Sequence, residues 1–169
     1  MGSEDRLRRD PIEVAIDNWS ARGWSAAAQG MAVVTSVMRV QQLLLRQVEA
    51  VLRPLGLTFA RYEVLMLLGF SRTGALPVGK VGERLQVHPA SVTNAVDRLE
   101  RDGFVERVPN PRDGRSVLAS ITPEGREVAA RASSALNQVV FSEVRLTGDE
   151  QASLYGLLKQ LRRAFGDFG

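Results

Sequence analysis

The amino-acid sequence contains no cysteine and only one histidine. Without cysteine the chain cannot form disulfide bonds, thiolate metal sites, a cysteine nucleophile or a thiol-based redox sensor. With one histidine, a zinc site made of protein ligands would depend almost entirely on carboxylates, which is unusual for zinc. We therefore expect neither a metal site nor a cofactor.

Long apolar runs are also lacking. No stretch approaches the roughly 18 residues that a membrane-spanning helix requires. The N-terminal residues MGSEDRLRRDP carry charges but no apolar core of the kind found in secretion signals. We expect a cytoplasmic protein that does not contact a membrane.

The composition is that of an ordinary globular chain. Its 169 residues are 44% hydrophobic and 24% charged, which is enough to bury a full core. Lys and Arg number 22 against 19 Asp and Glu, so the net charge of +3 permits nucleic-acid binding without establishing it. Only Lys80 and Lys159 are lysines. Arginine suits bidentate contacts with phosphate and guanine, although codon bias explains the preference equally well.

Both ends of the chain have the patterns of amphipathic helices. Residues Asp10 to Glu13 combine an N-cap, a proline and an acidic residue, and predict a short helix through Trp19 that stops at Gly23. From about residue 25 to 53 a long helix carries two apolar stripes, which must be covered by the core or by a partner subunit. After residue 122, two further amphipathic helices close the chain, the second behind a capping box at Thr147.

The middle of the chain predicts a helix-turn-helix followed by a β-hairpin. A short amphipathic helix ends at Leu85, and the tight turn at residues 86–88 leads to Pro89, which opens a second helix through Asp102. Two strands follow at residues 104–108 and 117–121 around a turn-rich basic tip, and these are the only strands that we predict. The fold class is therefore mainly α with a small β-hairpin wing, a winged helix-turn-helix joined to further helices.

The second helix of this motif has a polar face suited to DNA. Its predicted buried positions are Val92, Ala95, Val96 and Leu99. On the opposite face asparagine can pair with adenine and arginine with guanine, and the helix N-terminus offers free N–H groups to phosphate. The hairpin tip adds two arginines on a loop stiffened by prolines, which can reach an adjacent minor groove. The predicted DNA-binding residues are Pro89, Ala90, Ser91, Thr93, Asn94, Arg98, Arg101, Arg112 and Arg115.

Two segments resemble the multiple-antibiotic-resistance regulator (MarR) family. Residues 85–105, LQVHPASVTNAVDRLERDGFV, look like the recognition segment of that family. Residues 111–125, PRDGRSVLASITPEG, are similar to its wing signature, with Ile121 where leucine is usual. The pairing of the two motifs at this separation is specific, and the order of elements matches the family from about residue 25 to 165.

The resemblance implies a homodimeric transcription regulator, by default a repressor, that binds a palindromic operator in double-stranded DNA in the bacterial cytoplasm, at the nucleoid. It divides the chain into an N-terminal arm at residues 1–24, a winged DNA-binding domain at 57–122, and a helical dimerisation region at 25–56 and 123–169. By the same resemblance the minor groove is contacted by Arg115, and the major groove by Ser91, Thr93, Asn94 and Arg98.

Proteins similar to this one commonly bind a small aromatic or acyl effector between the dimerisation helices and the winged module. Binding changes the separation of the two recognition helices and weakens the contact with DNA. Methionine and aromatic residues at helical spacing are more often simple core, so these are candidates only. The candidate ligand-binding residues are Trp19, Trp24, Met38, Arg39, Phe59, Tyr62, Glu63 and Met66.

Two other interpretations stay open. A small helical enzyme is disfavoured, because the chain has no nucleophile elbow, no glycine-rich phosphate loop and no histidine-based dyad. A winged helix that contacts only proteins would keep the same fold and lack affinity for DNA. We expect a DNA-binding protein and not an enzyme.

Overall fold

The computed structural model describes residues 9–113 and 116–169, and the chain divides after Gln47 into two compact units. Short single turns of other helix types follow α2, at Arg53–Leu55, and α6, at Asn137–Phe141. The helices and strands follow in the order α1 (Pro11–Ala21), α2 (Ser25–Leu52), α3 (Phe59–Phe70), β1 (Ala75–Pro77), α4 (Val78–Leu85), α5 (Pro89–Arg101), β2 (Val105–Pro109), β3 (Val117–Ile121), α6 (Pro123–Leu136) and α7 (Gly148–Ala164).

The first unit contains α1 and most of α2. Pro11 opens α1, and Oδ1 of Asp10 accepts a hydrogen bond from the Ile12 N–H at 2.9 Å, which confirms the predicted helix start. Between the helices, the rings of Trp19 and Trp24 meet edge to face with their centroids 5.5 Å apart. In the single chain many apolar side chains of α2 are exposed, namely Val33, Val34, Val37, Met38, Val40, Leu43, Leu44 and Leu45.

The core of the second unit forms where α3, α5 and α6 pack together and against the sheet. Leu65 of α3, Leu99 of α5 and Leu136 of α6 are fully buried. Each lies on the apolar stripe of its helix, so the periodicity of the sequence selects the faces that meet. The hydrophobic effect of burying these stripes holds the winged module together.

Three antiparallel strands form the sheet, in the order β1-β3-β2. β2 and β3 make the predicted hairpin, with Val105 opposite Ile121 and Pro109 opposite Val117. β1 corrects the sequence analysis, which predicted two strands only. A segment of this length is too short to show the alternation of a strand. It becomes one because its backbone pairs with β3, where Ala75 lies opposite Ser120.

The last helix begins at the predicted capping box. The Thr147 N–H donates to Oε2 of Glu150 at 2.8 Å, and the Glu150 N–H donates back to Oγ1 of Thr147 at 3.4 Å. The hydrogen bond from the Thr147 backbone, followed by that from its hydroxyl, lowers the pKa of Glu150. In the single chain most of the large apolar side chains of α7 are exposed, among them Leu154, Leu157 and Leu161, and so is Phe165 at its C-cap.

Candidate nucleic-acid interface

The turn between α4 and α5 is as tight as the sequence predicts. Gln86 adopts the left-handed conformation, with φ of 54°, and its N–H bonds to the carbonyl of Gly82, which ends α4. A Cβ atom at Gly82 would lie 3.3 Å from the Val92 side chain, so a glycine there allows α4 to approach α5 closely. The two helices therefore pack as a helix-turn-helix pair.

The recognition helix α5 starts at a histidine cap. Nδ1 of His88 accepts a hydrogen bond from the Ala90 N–H at 3.2 Å, and Pro89 occupies the first helical position. A capping role of this kind accounts for the one histidine of the chain without a metal. Among the described residues, no group of three or more histidine, aspartate or glutamate side chains could hold a metal ion.

The burial pattern of α5 confirms the predicted faces. The four positions that were expected to be buried, Val92, Ala95, Val96 and Leu99, are all buried in the core of the winged unit. The predicted DNA-binding residues of this helix are all exposed: Pro89, Ala90, Ser91, Thr93, Asn94, Arg98 and Arg101. One face of α5 therefore combines an asparagine, two arginines, two hydroxyls and small side chains in solvent.

Two local hydrogen bonds order that exposed face. Nε of Arg98 donates to Oδ1 of Asn94, one turn earlier, at 3.3 Å. The Thr93 hydroxyl donates to the carbonyl of Pro89 at 3.1 Å. Asn94 and Arg98, the two side chains suited to base contacts, are thus held against each other rather than extended separately into solvent.

The carboxylates of this helix and of its C-cap are paired with arginines from neighbouring elements. Nη2 of Arg107, on β2, lies 2.5 Å from Oδ1 of Asp97, and Nη1 of the same guanidinium bonds to Glu100. Nη1 of Arg61, on α3, lies 3.0 Å from Oδ2 of Asp102. Partial burial lowers the pKa of Arg107, but the hydrogen bonds to its two carboxylates outweigh this effect and leave that pKa raised.

Arg61 and Arg107 were not among the residues predicted from the sequence. The available signal was the alternation of β2, which places Arg107 on the same face as the buried Val105. That face is turned towards α5, where Asp97 and Glu100 stand three residues apart on one side of the helix.

The wing tip is ordered by Asn110. Its Oδ1 accepts a hydrogen bond from the Arg112 N–H at 3.0 Å, and its Nδ2 donates to Oγ of Ser116 at 2.7 Å, across the base of the loop. The side chain of Arg112, a predicted DNA contact, is exposed. Arg115, the other predicted wing contact, lies outside the described residues.

Four of the candidate ligand-binding residues lie on α3. The rings of Phe59 and Tyr62 stack with centroids 6.3 Å apart. The Tyr62 hydroxyl shares a hydrogen bond of 3.0 Å with Oγ of Ser133 on α6, and Oγ of Ser133 donates to Sδ of Met66 at 3.2 Å. The fourth, Glu63, is half-buried, and burial raises the pKa of its carboxyl.

The other four candidates lie in the first unit. Trp19 and Trp24 are in contact, and Trp24 is half exposed. Met38 and Arg39, on α2, are exposed.

A separate cleft of about 310 Å³ opens in the second unit, between the turn after α2, Phe104 and the first turns of α6. None of the eight candidate residues lines it; its lining consists of Pro54, Leu55, Phe104, Glu124, Glu127, Val128 and Arg131. None of the helices in the described part of the chain combines the length and the apolar character that a bilayer span requires.

Comparisons with known proteins identify the family. The model of the MarR family matches residues 57–117, from the loop before α3 to the start of β3. The multiple antibiotic resistance protein MarR of Salmonella typhimurium is 33% identical over 112 residues, which make up 65% of this chain and 76% of that protein.

Two solved structures extend the similarity over most of the fold. A MarR family transcriptional regulator from Streptomyces coelicolor is 51% identical, with a TM-score of 0.76 over 83% of this chain and 97% of that one. A mutant of MarR from Escherichia coli, complexed with operator DNA, is 29% identical, with a TM-score of 0.73 over 80% of this chain and 96% of that one. These relatives are transcription regulators and not enzymes, as expected for this chain. The chain belongs to the MarR family of winged helix-turn-helix transcription regulators.

Proposed function

We propose that the protein is a repressor that binds a palindromic DNA operator as a homodimer and is released by a small aromatic or acyl effector. The observation that carries the proposal is the exposed face of α5, where every predicted base- or phosphate-contacting residue is exposed and the carboxylates are paired elsewhere. Support comes from similar regulators whose structures were solved with DNA, including the operator complex of the Escherichia coli MarR mutant. Such a regulator acts in the cytoplasm, at the nucleoid.

Each predicted DNA-binding residue of α5 has a role that its chemistry suits. Asn94 pairs with adenine, Arg98 with guanine, and Ser91 with either base, while Ala90 allows close approach. Thr93, Arg101 and the N-terminus of the helix at Pro89 bind phosphate oxygens. Beside the recognition helix, the guanidinium of Arg115 enters the minor groove and that of Arg112 binds a phosphate at the edge of the groove.

The homodimer is supported by the apolar side chains that the single chain exposes. On α7, Leu157 is 64% exposed and Leu161 is exposed as well, as is Phe165 at the C-cap, while Met38 on α2 is 63% exposed. Exposed apolar surface of this extent is typical of a subunit interface. We assign dimerisation to residues 25–56 and 123–169, DNA binding to 57–122, and the N-terminal arm to 1–24.

The dimer is tested by light scattering at several protein concentrations. Leu157→Asp places a charge in the proposed interface and should produce monomers, whereas Gln160→Asp, a change at a neighbouring exposed polar position, should leave the dimer intact. A wild-type protein that stays monomeric at micromolar concentration would contradict this part of the proposal.

The effector site is proposed at the α3 residues Phe59, Tyr62, Glu63 and Met66. Trp19, Trp24, Met38 and Arg39, in the first unit, stay candidate contacts of their own. The Tyr62 and Ser133 hydroxyls supply polar groups beside two aromatic rings and a methionine, a composition suited to a phenolic or aromatic carboxylate ligand. A panel of phenolic acids and acyl thioesters, scored by release of labelled DNA, tests this site. Tyr62→Phe should weaken release without weakening DNA binding.

Footprinting and transcription together test the repressor function. On the region immediately upstream of the protein's own gene, a dimer should protect two patches whose centres lie about 10 to 10.5 bp apart. In a purified transcription reaction the protein should lower run-off from that promoter. A single unpaired patch would contradict the palindrome, and increased run-off would identify an activator. If the protein binds no DNA, the winged helix serves protein contacts instead.

A further inference from the structure

The recognition helix carries as many carboxylates as cations. Within α5 the charged side chains are Asp97, Arg98, Glu100 and Arg101, so two negative charges cancel two positive charges, and Asp102 follows at the C-cap. Free carboxylates on a helix in the major groove would repel the DNA phosphates. The helix can present a cationic face to DNA only if these carboxylates are neutralised elsewhere.

Arg107 is placed to neutralise two of them. It lies at the centre of β2, opposite the fully buried Ala119 of β3, and on the strand face that includes the core residue Val105. This position aims its side chain at α5, where the guanidinium bridges Asp97 and Glu100. The side chain is only 27% exposed, whereas those of Asp97 and Glu100 are 49% and 40% exposed. The arginine is therefore the partner that lies closer to the protein interior.

We infer that Arg107 is a positioning residue for DNA recognition: without touching DNA, it holds Asp97 and Glu100 against the root of the wing and neutralises them, so that Arg98 and Arg101 face the DNA unopposed. The same contact ties β2 to α5, so the wing and the recognition helix keep one relative orientation. Arg61 supports this arrangement at the end of the helix through its ion pair with Asp102 at 3.0 Å. The inference rests on the proposed DNA-binding function.

A double-mutant cycle tests the inference. Arg107→Ala is made in the wild-type protein and in the Asp97→Asn/Glu100→Gln variant, in which no carboxylate needs to be neutralised. The four proteins are titrated by fluorescence anisotropy against a labelled duplex from immediately upstream of the gene and against a scrambled duplex. Circular dichroism and thermal unfolding confirm that each protein is folded. If Arg107→Ala does not fold, Arg107→Met, which retains most of the aliphatic stem, replaces it.

In the wild-type background we expect Arg107→Ala to weaken operator binding on the order of tenfold, since two carboxylates are released beside the phosphates. In the amide background the loss should be less than about threefold, because the charges that Arg107 neutralises are already gone. This difference between the backgrounds supports the inference.

Equal losses in both backgrounds would overturn it. If the slope of log affinity against log salt also fell by about 0.9 in Arg107→Ala, the equal losses would show that Arg107 itself binds a phosphate. No loss in either background would also overturn it. If the wild-type protein binds neither duplex, the proposed function fails and the inference fails with it; if the wild type selects the operator and the cycle shows no coupling, only the inference fails.

Discussion

Asn94 and Arg98 are joined by a hydrogen bond across one turn of α5, in which Nε of Arg98 donates to Oδ1 of Asn94 at 3.3 Å. The bond uses neither Nη group of the guanidinium nor the Nδ2 group of the amide. A pair held in this way loses less side-chain entropy when it contacts base edges than two free side chains would. The two residues should therefore act as one reading unit.

Substitution of this pair should reduce operator selectivity. Asn94→Ala and Arg98→Ala should each weaken specific binding by about 1 to 3 kcal/mol, because each removes one base contact. The double variant should lose less than the sum of the two, since removal of either partner already frees the other. Anisotropy titrations of the three variants on operator and scrambled duplexes measure both effects. Strict additivity would show that the two side chains act independently.

Through contacts with DNA phosphates, Arg112 of the wing should contribute affinity for DNA without selectivity for its sequence. Arg112→Ala removes an exposed cation from a tip that Asn110 holds in place, and should weaken binding to operator and scrambled duplexes alike. The slope of log affinity against log salt should fall by about 0.9 for each lost phosphate contact. Lys159→Ala, which removes a cation from α7 outside the winged segment, is the control and should leave the slope unchanged. An unchanged slope for Arg112→Ala would exclude a phosphate contact.

Gly125 is a position where a side chain cannot fit. An added Cβ would overlap the carbonyl oxygen of Phe104, which already accepts the Thr122 N–H at 3.1 Å, and would lie 3.0 Å from Ile121. Gly125→Ala should therefore destabilise the winged unit by about 1 to 3 kcal/mol. Gly69→Ala, in an exposed helical position with no atom within 4 Å, should be neutral or stabilise by about 0.5 to 1 kcal/mol. Urea unfolding measures the stability of both variants against the wild type. If Gly125→Ala were as stable as the wild type, the start of α6 would be able to shift and make room for the methyl group.

Glu63 should make stability fall as pH rises. Burial raises the pKa of this carboxyl in the folded chain, so ionisation disfavours the folded state. The destabilisation is absent below the unfolded-state pKa of about 4.3, develops as pH rises through the folded-state pKa, and is complete above it. Glu63→Gln should therefore raise the thermal unfolding midpoint at pH 7 relative to wild type, and by less near pH 4. The exposed Glu143→Gln serves as the control. A Glu63→Gln effect that is the same at both pH values would contradict this account.

Local patterns in the sequence were sufficient to predict the recognition helix. In α5, the start at Pro89 and the burial of Val92 and Leu99 depend on residues within a few positions of each other, where spacing determines geometry. The same is true of the capping box at Thr147, which starts α7. The predicted outward residues of α5 followed from the same spacing.

Contacts between distant segments could not be predicted in this way. β1 exists because Ala75 pairs with Ser120, and the hydrogen bond between Tyr62 and Ser133 joins residues on different helices. The bridge from Arg107 to Asp97 and Glu100 likewise requires the packing of a strand on a helix. In each case the side chains have ordinary sequence neighbours, and only the fold brings the partners together.

The reading of a DNA sequence by the exposed face of α5 underlies the whole proposed function. It is tested most directly by fluorescence anisotropy of the wild-type protein against the duplex immediately upstream of its gene and a scrambled duplex of the same composition, across a salt series. We predict tight binding to the upstream duplex, weaker binding to the scrambled one by a factor of about 10³ or more, and a steep loss of affinity with salt. Equal affinity for the two duplexes, or none for either, with no selected sequence recovered from a random DNA pool, would contradict the account.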